Sequence, residues 1–335
     1  MSFMSRPARS FVFSADIAIG HSVSPYVSVY PWNAGFGTKY ADPTTLPAGA
    51  GYGVAFSSTN TEIAVAHVGS PYISVYPWTS GFGTKYANPV TLPTGIGREV
   101  TFSPSNADIA VVHDNSPYIS VYPWGPGFGT KYANPASLPS LDAYGVDFSP
   151  SGAYLAVAHS FTPYISVYPW ASGFGVRVAN PATLPTGIAY STKFSPNGNS
   201  IAVAYGLSPF VAVYPWAAGY GTKYADPASL PSGLAWGVDF SPSGADIALA
   251  LNSSPYICAY PWGPGFGTKY ADPAVLPTGI GNGIAFSPDG TAVAVAHNTS
   301  PYVSVYGWSS GFGTKYADPA TLPTGAGLSV AWKTP

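Results

Sequence analysis

The sequence predicts an all-β protein, a seven-bladed β-propeller made of seven copies of one 46-residue unit. Three observations predict this fold: a tryptophan that recurs at a constant interval, four strand-like segments in each interval, and many turn residues. The chain of 335 residues contains 38 Gly and 36 Pro, which are poorly tolerated inside helices. Its 46% hydrophobic and 15% aromatic content favours a packed core over a disordered chain.

The repeat runs through almost the whole chain. One tryptophan holds the same place in every unit: Trp32, Trp78, Trp124, Trp170, Trp216, Trp262 and Trp308. A phenylalanine follows the same period from Phe56 to Phe286, and Trp332 takes the next place. Because no insertion interrupts the period, we expect residues 11–335 to form a single propeller and residues 1–10 an N-terminal extension.

Each unit divides into four predicted antiparallel strands, as its second copy illustrates. Residues 53–57 and 63–67 alternate between side-chain types, residues 72–76 place aliphatic groups on one face, and residues 83–86 form the shortest segment. Gly, Pro, Ser and Asn separate the four segments, as turns require. Four short strands in each of seven units are typical of a seven-bladed propeller.

The phase of the repeat predicts how the ring closes. Residues 330–332 match an innermost strand, whereas residues 17–40 supply only a second, third and fourth strand. We therefore expect the C-terminal strand to complete the N-terminal blade, which removes exposed sheet edges. Residues 11–13 compete for this place, but their turn is three residues short, and we expect them to cap one end.

The repeat resembles a known family. Phe-Ser-Pro-Asp-Gly at 286–290, then an Ala-Val-Ala strand and Tyr-Val-Ser-Val-Tyr before Trp308, is similar to WD40-type repeats over nearly the whole chain. Asp never follows the recurrent Trp, so the Asp-His-Ser-Trp network of that family is not carried over. The segment Ser-Pro-Tyr-Ile-Ser-Val-Tyr-Pro-Trp also resembles repeats in virion-associated proteins of tailed bacteriophages. The resemblances imply a propeller, and the second implies a virion component.

Residues able to do chemistry are repeated rather than unique, which argues against an enzyme. Five histidines share one repeat position: His21, His67, His113, His159 and His297. Neighbouring blades are too far apart for them to share a metal ion, so we expect each to hydrogen-bond a nearby turn. Serines recur likewise, and Cys258 stands where five units have Ser. We therefore expect no catalytic residue, no metal and no cofactor.

Positions at which the units differ predict a recognition face. One position just before the innermost strand holds Tyr52, Arg98, Tyr144, Tyr190, Trp236, Asn282 and Leu328. Tyr, Trp and Arg are common at binding hot spots. A variable turn after the His position includes Phe161, and a third variable position holds Asp147, Lys193 and Asp239 in three consecutive units. We expect these residues to surround one mouth of the channel, with neutral drift on a solvated surface as the alternative.

Two repeated features allow two interpretations each. A basic residue recurs on the predicted outer strand: Lys39, Lys85, Lys131, Arg177, Lys223, Lys269 and Lys315. We expect a solvated rim that protects edge strands, with a phosphate or glycan site as the alternative. The recurrent Trp and the Gly-Phe-Gly segment are explained by packing between blades, or by stacking on sugars as in propeller lectins.

Charge and hydropathy narrow the partners. The formal net charge of −2 predicts no binding to nucleic acid. No apolar run is long enough for a spanning helix and no signal peptide is evident, so we expect no membrane insertion. The resemblance to phage virion repeats implies a location in the virion, or in the host cytoplasm before assembly.

Together these features predict a non-catalytic binding or structural propeller. We expect a phage fibre, spike or decoration protein that presents its recognition face to a protein or glycan partner and assembles into a larger virion complex. The alternatives are a multivalent lectin-like propeller and an intracellular protein-interaction scaffold.

Overall fold

Seven small antiparallel sheets follow one another along the part of the chain that the computed structural model describes, residues 15–333. The extension at 1–10 and the competing segment at 11–13 lie outside the described residues. The sheets contain β1 (Ala15–His21), β2 (Val27–Trp32), β3 (Gly51–Phe56), β4 (Glu62–His67), β5 (Ile73–Pro77), β6 (Gly97–Phe102), β7 (Asp108–His113), β8 (Ile119–Gly125), β9 (Gly127–Phe128), β10 (Ala143–Phe148), β11 (Tyr154–His159), β12 (Ile165–Pro169), β13 (Ala189–Phe194), β14 (Ser200–Tyr205), β15 (Val211–Pro215), β16 (Ala235–Phe240), β17 (Asp246–Leu251), β18 (Ile257–Gly263), β19 (Gly265–Phe266), β20 (Gly281–Phe286), β21 (Ala292–His297), β22 (Val303–Trp308), β23 (Phe312–Lys315) and β24 (Gly327–Trp332).

The C-terminal strand completes the N-terminal blade. Strand β24 pairs antiparallel with β1, and the register places Ile17 opposite Trp332 and Ala18 opposite Ala331. The first blade therefore has the strand order β2-β1-β24, and β24 in turn lies beside β3 of the next blade. The seven sheets confirm the predicted all-β propeller, and the pairing of β24 with β1 places the C-terminal strand in the N-terminal blade.

The hydrophobic core lies between successive blades. Ala64 and Val75 of one blade pack in a single cluster with Val100 and Ile109 of the next blade. The recurrent Trp closes the outer end of each such cluster, where the Trp78 ring meets Phe82 and Tyr40 edge to face at 5.0 and 5.1 Å. Edge-to-face contact suits the aromatic quadrupole. The repeated aromatic residues thus pack between blades.

The predicted fourth strand is the weakest part of each sheet. Within residues 15–333, four sheets have three strands and three sheets have four, and two of those fourth strands, β9 and β19, are two residues long. In the three-stranded blades 2, 4 and 5 and in the first blade, one isolated bridge such as Trp78 to Phe82 marks its place. Proline precedes the recurrent Trp in six units and offers no N–H to a fourth strand.

The seventh unit shows the opposite case. Gly307 stands where the other units have Pro, and its blade carries β23, the longest fourth strand among the described residues.

Within residues 15–333, no helix is long and apolar enough to span a bilayer.

Candidate functional site

A β-bulge near the start of every innermost strand aims one side chain at the same mouth of the channel. In β3, for example, the pairing with β4 passes from Gly51 directly to Gly53 and leaves Tyr52 as the extra residue. The corresponding bulges lie in the other innermost strands. A bulge re-aims a side chain without ending the strand, and bulges are common beside active sites. The seven bulge residues are Tyr52, Arg98, Tyr144, Tyr190, Trp236, Asn282 and Leu328, all half-buried and all lining one pocket.

Five of these side chains form a stacked arc along one side of the mouth. The guanidinium carbon of Arg98 lies 4.8 Å from the centre of the Tyr52 ring and 5.5 Å from that of Tyr144. The ring centres of Tyr144 and Tyr190 are 5.4 Å apart, and those of Tyr190 and Trp236 are 4.2 Å apart. Each ring is therefore supported by its neighbour, which holds the arc in place before any ligand arrives.

The remaining predicted site residues separate into two groups. Phe161, 59% exposed, lies in the turn between β11 and β12 on the same face, outside the residues that line the pocket. Lys193 and Asp239 line the pocket three residues further along their strands, inside the channel. Asp147 lies beside them and forms an ion pair with Lys193, whose Nζ is 3.3 Å from Asp147 Oδ1.

Glu99 is a fourth charged group in this channel, and sequence reasoning missed it. Glu99 follows the bulge residue at a position that is Gly in four other units and Ser in two. The innermost strands approach closely here, since a Cβ on Gly53 would lie 2.7 Å from the Glu99 Cα. The Glu99 side chain instead reaches across to the next blade, where Oε2 accepts a 3.0 Å hydrogen bond from the N–H of Val146. A unique acid at a glycine position was the available signal.

The three carboxyl groups are held by backbone N–H groups of neighbouring strands. Asp147 Oδ2 accepts from Phe194 N, and Asp239 Oδ2 accepts from Phe286 N, both at 2.8 Å. These bonds tie each carboxylate to the next innermost strand, as the Glu99 bond does. The channel therefore holds its charged groups in fixed positions with little freedom to rearrange.

Burial in the channel raises the pKa values of its three carboxyl groups. Desolvation raises the pKa of Glu99 to about 7, although the positive charge of Lys193 opposes the rise. Desolvation likewise raises the pKa of Asp239 to about 6, and it raises the pKa of Asp147. Burial lowers the pKa of Lys193, but the surrounding carboxylates outweigh it and leave that pKa above its ordinary value. Lys193 is therefore a permanent cation beside carboxyl groups that exchange protons near neutral pH.

The pocket has the size of a small-molecule site. Its volume is about 310 Å³, at the lower end of the range typical for ligand pockets. It is open at the mouth, where the aromatic arc lies, and charged further in, where Glu99, Lys193 and Asp239 lie. The pocket can hold a small cyclic ligand against the aromatic arc, with the Glu99 carboxylate further in.

The repeated histidines have a structural role. The Nδ1–H of His113 donates to the carbonyl oxygen of Asn115 at 2.8 Å, and its Nε2 accepts from the Ser120 hydroxyl at 3.1 Å. The Nε2 atoms of the other four make the same contact with a serine. Within residues 15–333, no group of three or more His, Cys, Asp or Glu side chains is placed to hold a metal ion.

Cys258 and the basic residues of the outer rim, which the sequence also singled out, make local contacts. Burial raises the pKa of the Cys258 thiol to about 12, so this residue packs rather than reacts. On the outer rim, Lys39 and Lys223 pair with Asp42 and Asp226, and Lys85 contacts Asn88. In both ion pairs the carboxylate is exposed and the lysine is mostly covered, and the role of this rim stays a prediction.

Solved structures with the same fold were found over almost the full length of the chain. A provisionally named 6-phosphogluconolactonase from Bacteroides fragilis is 12% identical, with a TM-score of 0.76, covering 98% of this chain and 99% of that one. A second, from Bacteroides uniformis, is 16% identical with a TM-score of 0.71, covering 95% and 99%. The periplasmic gluconolactonase of Pseudomonas aeruginosa is 15% identical with a TM-score of 0.70, covering 96% and 99%. No protein-family model and no curated protein matches the chain.

These comparisons correct the functional prediction. The likeness establishes the repeat propeller, while nothing supports the narrower resemblance to WD40 repeats or phage virion repeats. The prediction of a non-catalytic phage protein, with its lectin and scaffold alternatives, is contradicted by neighbours that are named as lactonases. The prediction that the protein is not an enzyme is contradicted by the same neighbours. The sequence argument rejected catalytic residues because the candidates were repeated, but Glu99 occurs in one unit only. The predicted partner and location stay predictions.

Proposed function

We propose that the protein is a hydrolase that opens a lactone, a cyclic ester, in the mouth of the channel, with Glu99 as general base. The observation that carries the proposal is a half-buried carboxyl group with a pKa raised to about 7 by burial, beside a permanent ammonium in an open pocket. General bases work best when their pKa lies near the operating pH. The names of the structural neighbours support the same reaction class.

The proposed reaction uses water as its only co-reactant. The Glu99 carboxylate takes a proton from water while the water oxygen forms a bond to the lactone carbonyl carbon. The resulting oxyanion faces the Lys193 ammonium, which stabilises negative charge that was absent in the substrate. The bond from that carbon to the ring oxygen then breaks, and the ring oxygen takes the proton back from Glu99. Lactone and water thus become a hydroxy acid, and Glu99 returns to its starting form.

The aromatic arc is proposed to bind and orient the substrate ring. Tyr144, Tyr190 and Trp236 present ring faces and edges at the mouth, and the apolar C–H face of a sugar-like ring packs well on such surfaces. Arg98 is already stacked between two tyrosines and paired with Asp114. Arg98 is therefore assigned a positioning role in the arc.

Replacing the base tests the proposal directly. We expect the purified protein to hydrolyse D-glucono-1,5-lactone above the spontaneous rate, followed by acid release in a pH-stat. We expect Glu99→Gln to lower kcat/KM roughly 10²–10⁴-fold, the usual contribution of a general base. Glu62→Gln is the matched control, because Glu62 is the only other glutamate and lies on β4, away from the channel lining. It should retain full activity.

The pH profile gives a second readout. Only ionised Glu99 accepts a proton, and its pKa is raised to about 7, so kcat/KM should rise with pH through about 7 and then level off. No hydrolysis above background across a panel of five- and six-membered lactones would overturn the proposal. Equal activities of the wild type and Glu99→Gln would do the same.

A further inference from the structure

We propose that the channel mouth selects lactones that carry no phosphate or other anionic group, and that the carboxylates of Asp239 and Glu99 make this selection. The inference rests on the proposed hydrolase and names the substrate class of the same site. It separates this chain from the phosphorylated substrate that the names of two structural neighbours contain.

Both cations that line the described mouth are already paired. Arg98 Nη2 lies 3.2 Å from Asp114 Oδ2, and Asp114 also accepts a 2.8 Å hydrogen bond from Ile96 N. Lys193 Nζ lies 3.3 Å from Asp147 Oδ1. A phosphate group is bound by cations and N–H groups whose charge is still available. A phosphate group at Arg98 or Lys193 would therefore have to compete with the carboxylate partner that the cation already has.

The remaining charges in the channel are negative. Asp239 and Glu99 each accept a hydrogen bond from one backbone N–H, and neither makes an ion pair within 4 Å among the described residues. Counting Asp147, three carboxyl groups face the single ammonium of Lys193. The interior of the pocket is therefore negative whenever more than one of the three is ionised.

A narrow channel strengthens this repulsion. Clefts lined by one sign of charge and walled by low-dielectric protein focus the electric field, and like charges brought together there weaken binding strongly. A doubly charged phosphate group would be repelled most strongly by the channel carboxylates. An uncharged lactone would not be repelled. The carboxylate of its hydrolysis product would be repelled, and this repulsion favours product release.

Matched substrates test the selection kinetically. We expect kcat/KM for D-glucono-1,5-lactone to exceed that for its 6-phosphate at least about tenfold at low ionic strength, near 20 mM. The ratio should fall several-fold in Asp239→Asn and fall again near 300 mM salt. Asp226→Asn, on the exposed rim, should leave the ratio unchanged. A merely structural defect in Asp239→Asn would slow both lactones alike and leave the ratio intact.

Binding measurements separate the two proposals. Calorimetric titration with neutral D-gluconolactam, D-gluconate and 6-phospho-D-gluconate needs no catalysis. We expect affinity to fall in that order, and we expect Asp239→Asn to narrow the differences. If neither lactone is hydrolysed but this order holds, the hydrolase fails while the charge selection stands. Equal or tighter binding of the phosphorylated ligand, or no binding of the neutral lactam, would overturn the selection.

Discussion

At the scale of single residues, the histidine and serine of each unit form a pair that is kept or lost as a whole. Five units have His with Ser seven residues later, whereas the fifth unit has Tyr205 with Ala212 and the sixth has Leu251 with Cys258. Burial explains this joint change, because a serine hydroxyl that loses its partner in the core costs free energy. The pair therefore stabilises its blade, and its replacements leave no serine hydroxyl unpaired: Ala212 has no hydroxyl, and the Tyr205 hydroxyl donates to the carbonyl oxygen of Val211 at 3.2 Å.

The sixth unit provides the matched control for a mutational test. We expect His113→Leu to lower the free energy of unfolding by about 1–3 kcal/mol, because Ser120 is left buried without its partner. The double variant His113→Leu with Ser120→Cys reproduces Leu251 and Cys258 and should recover most of that loss in urea denaturation. A double variant as unstable as the single one would show that the pair is not the cause.

These buried histidines also predict an acid-sensitive fold. Burial lowers the pKa of His113 from 6.5 to about 4, and the other four shift in the same direction. Between pH 6.5 and about 4 the unfolded chain therefore binds protons that the folded chain does not. We expect the free energy of unfolding to fall as the pH is lowered through this window. The double variant at His113 and Ser120 should show a smaller fall; an identical pH dependence would contradict the assignment.

At the scale of elements, one residue type sets the length of the fourth strand. The N–H of residue 308 donates inward to residue 291, so the N–H of the preceding residue faces the fourth strand. Six units place Pro there and lose that donor, whereas Gly307 keeps it beside β23.

A single substitution tests this explanation. We expect Gly307→Pro to reduce β23 to one bridge, since it removes a ladder hydrogen bond worth about 1 kcal/mol. Hydrogen exchange of the amides of Phe312–Lys315 should become several-fold faster. Pro169→Gly is the reverse variant and should slow exchange in the fourth blade. Unchanged exchange in both variants would mean that the loop, rather than the proline, limits the strand.

At the scale of the whole molecule, the C-terminal strand β24 joins the last blade to the first. Trp332 packs against Trp32 at 5.1 Å and donates from Nε1 to the carbonyl oxygen of Ala285 at 3.0 Å. The C-terminal strand thus packs within its own blade and against β20 of the seventh blade, and on its other side it lies beside β3 of the second blade.

Removing this strand should open the ring. We expect deletion of residues 328–335 to lower Tm by roughly 10 °C or more, because it exposes the apolar faces of two blades. Adding a peptide of residues 325–335 should restore part of the loss if the deleted chain still folds. An unchanged Tm after the deletion would contradict closure by β24.

Much of this architecture follows from the sequence by itself. A constant 46-residue period, turn residues between short apolar segments and the phase of residues 330–332 together predicted seven blades and their closure. The seven variable positions were also identifiable because they differ between units, although they lie within the innermost strands rather than before them. These features depend on local patterns, and local patterns repeat with the chain.

The tertiary structure alone decided which of those residues meet. Glu99, Asp147, Lys193 and Asp239 come from four consecutive units, and only the convergence of the innermost strands brings them into one channel. Burial there raises the pKa of Glu99 to about 7, and a carboxyl group with this pKa is a candidate general base. Sequence reasoning missed this because a pKa depends on solvent exclusion and neighbouring charges, which arise only after the blades assemble around a common axis.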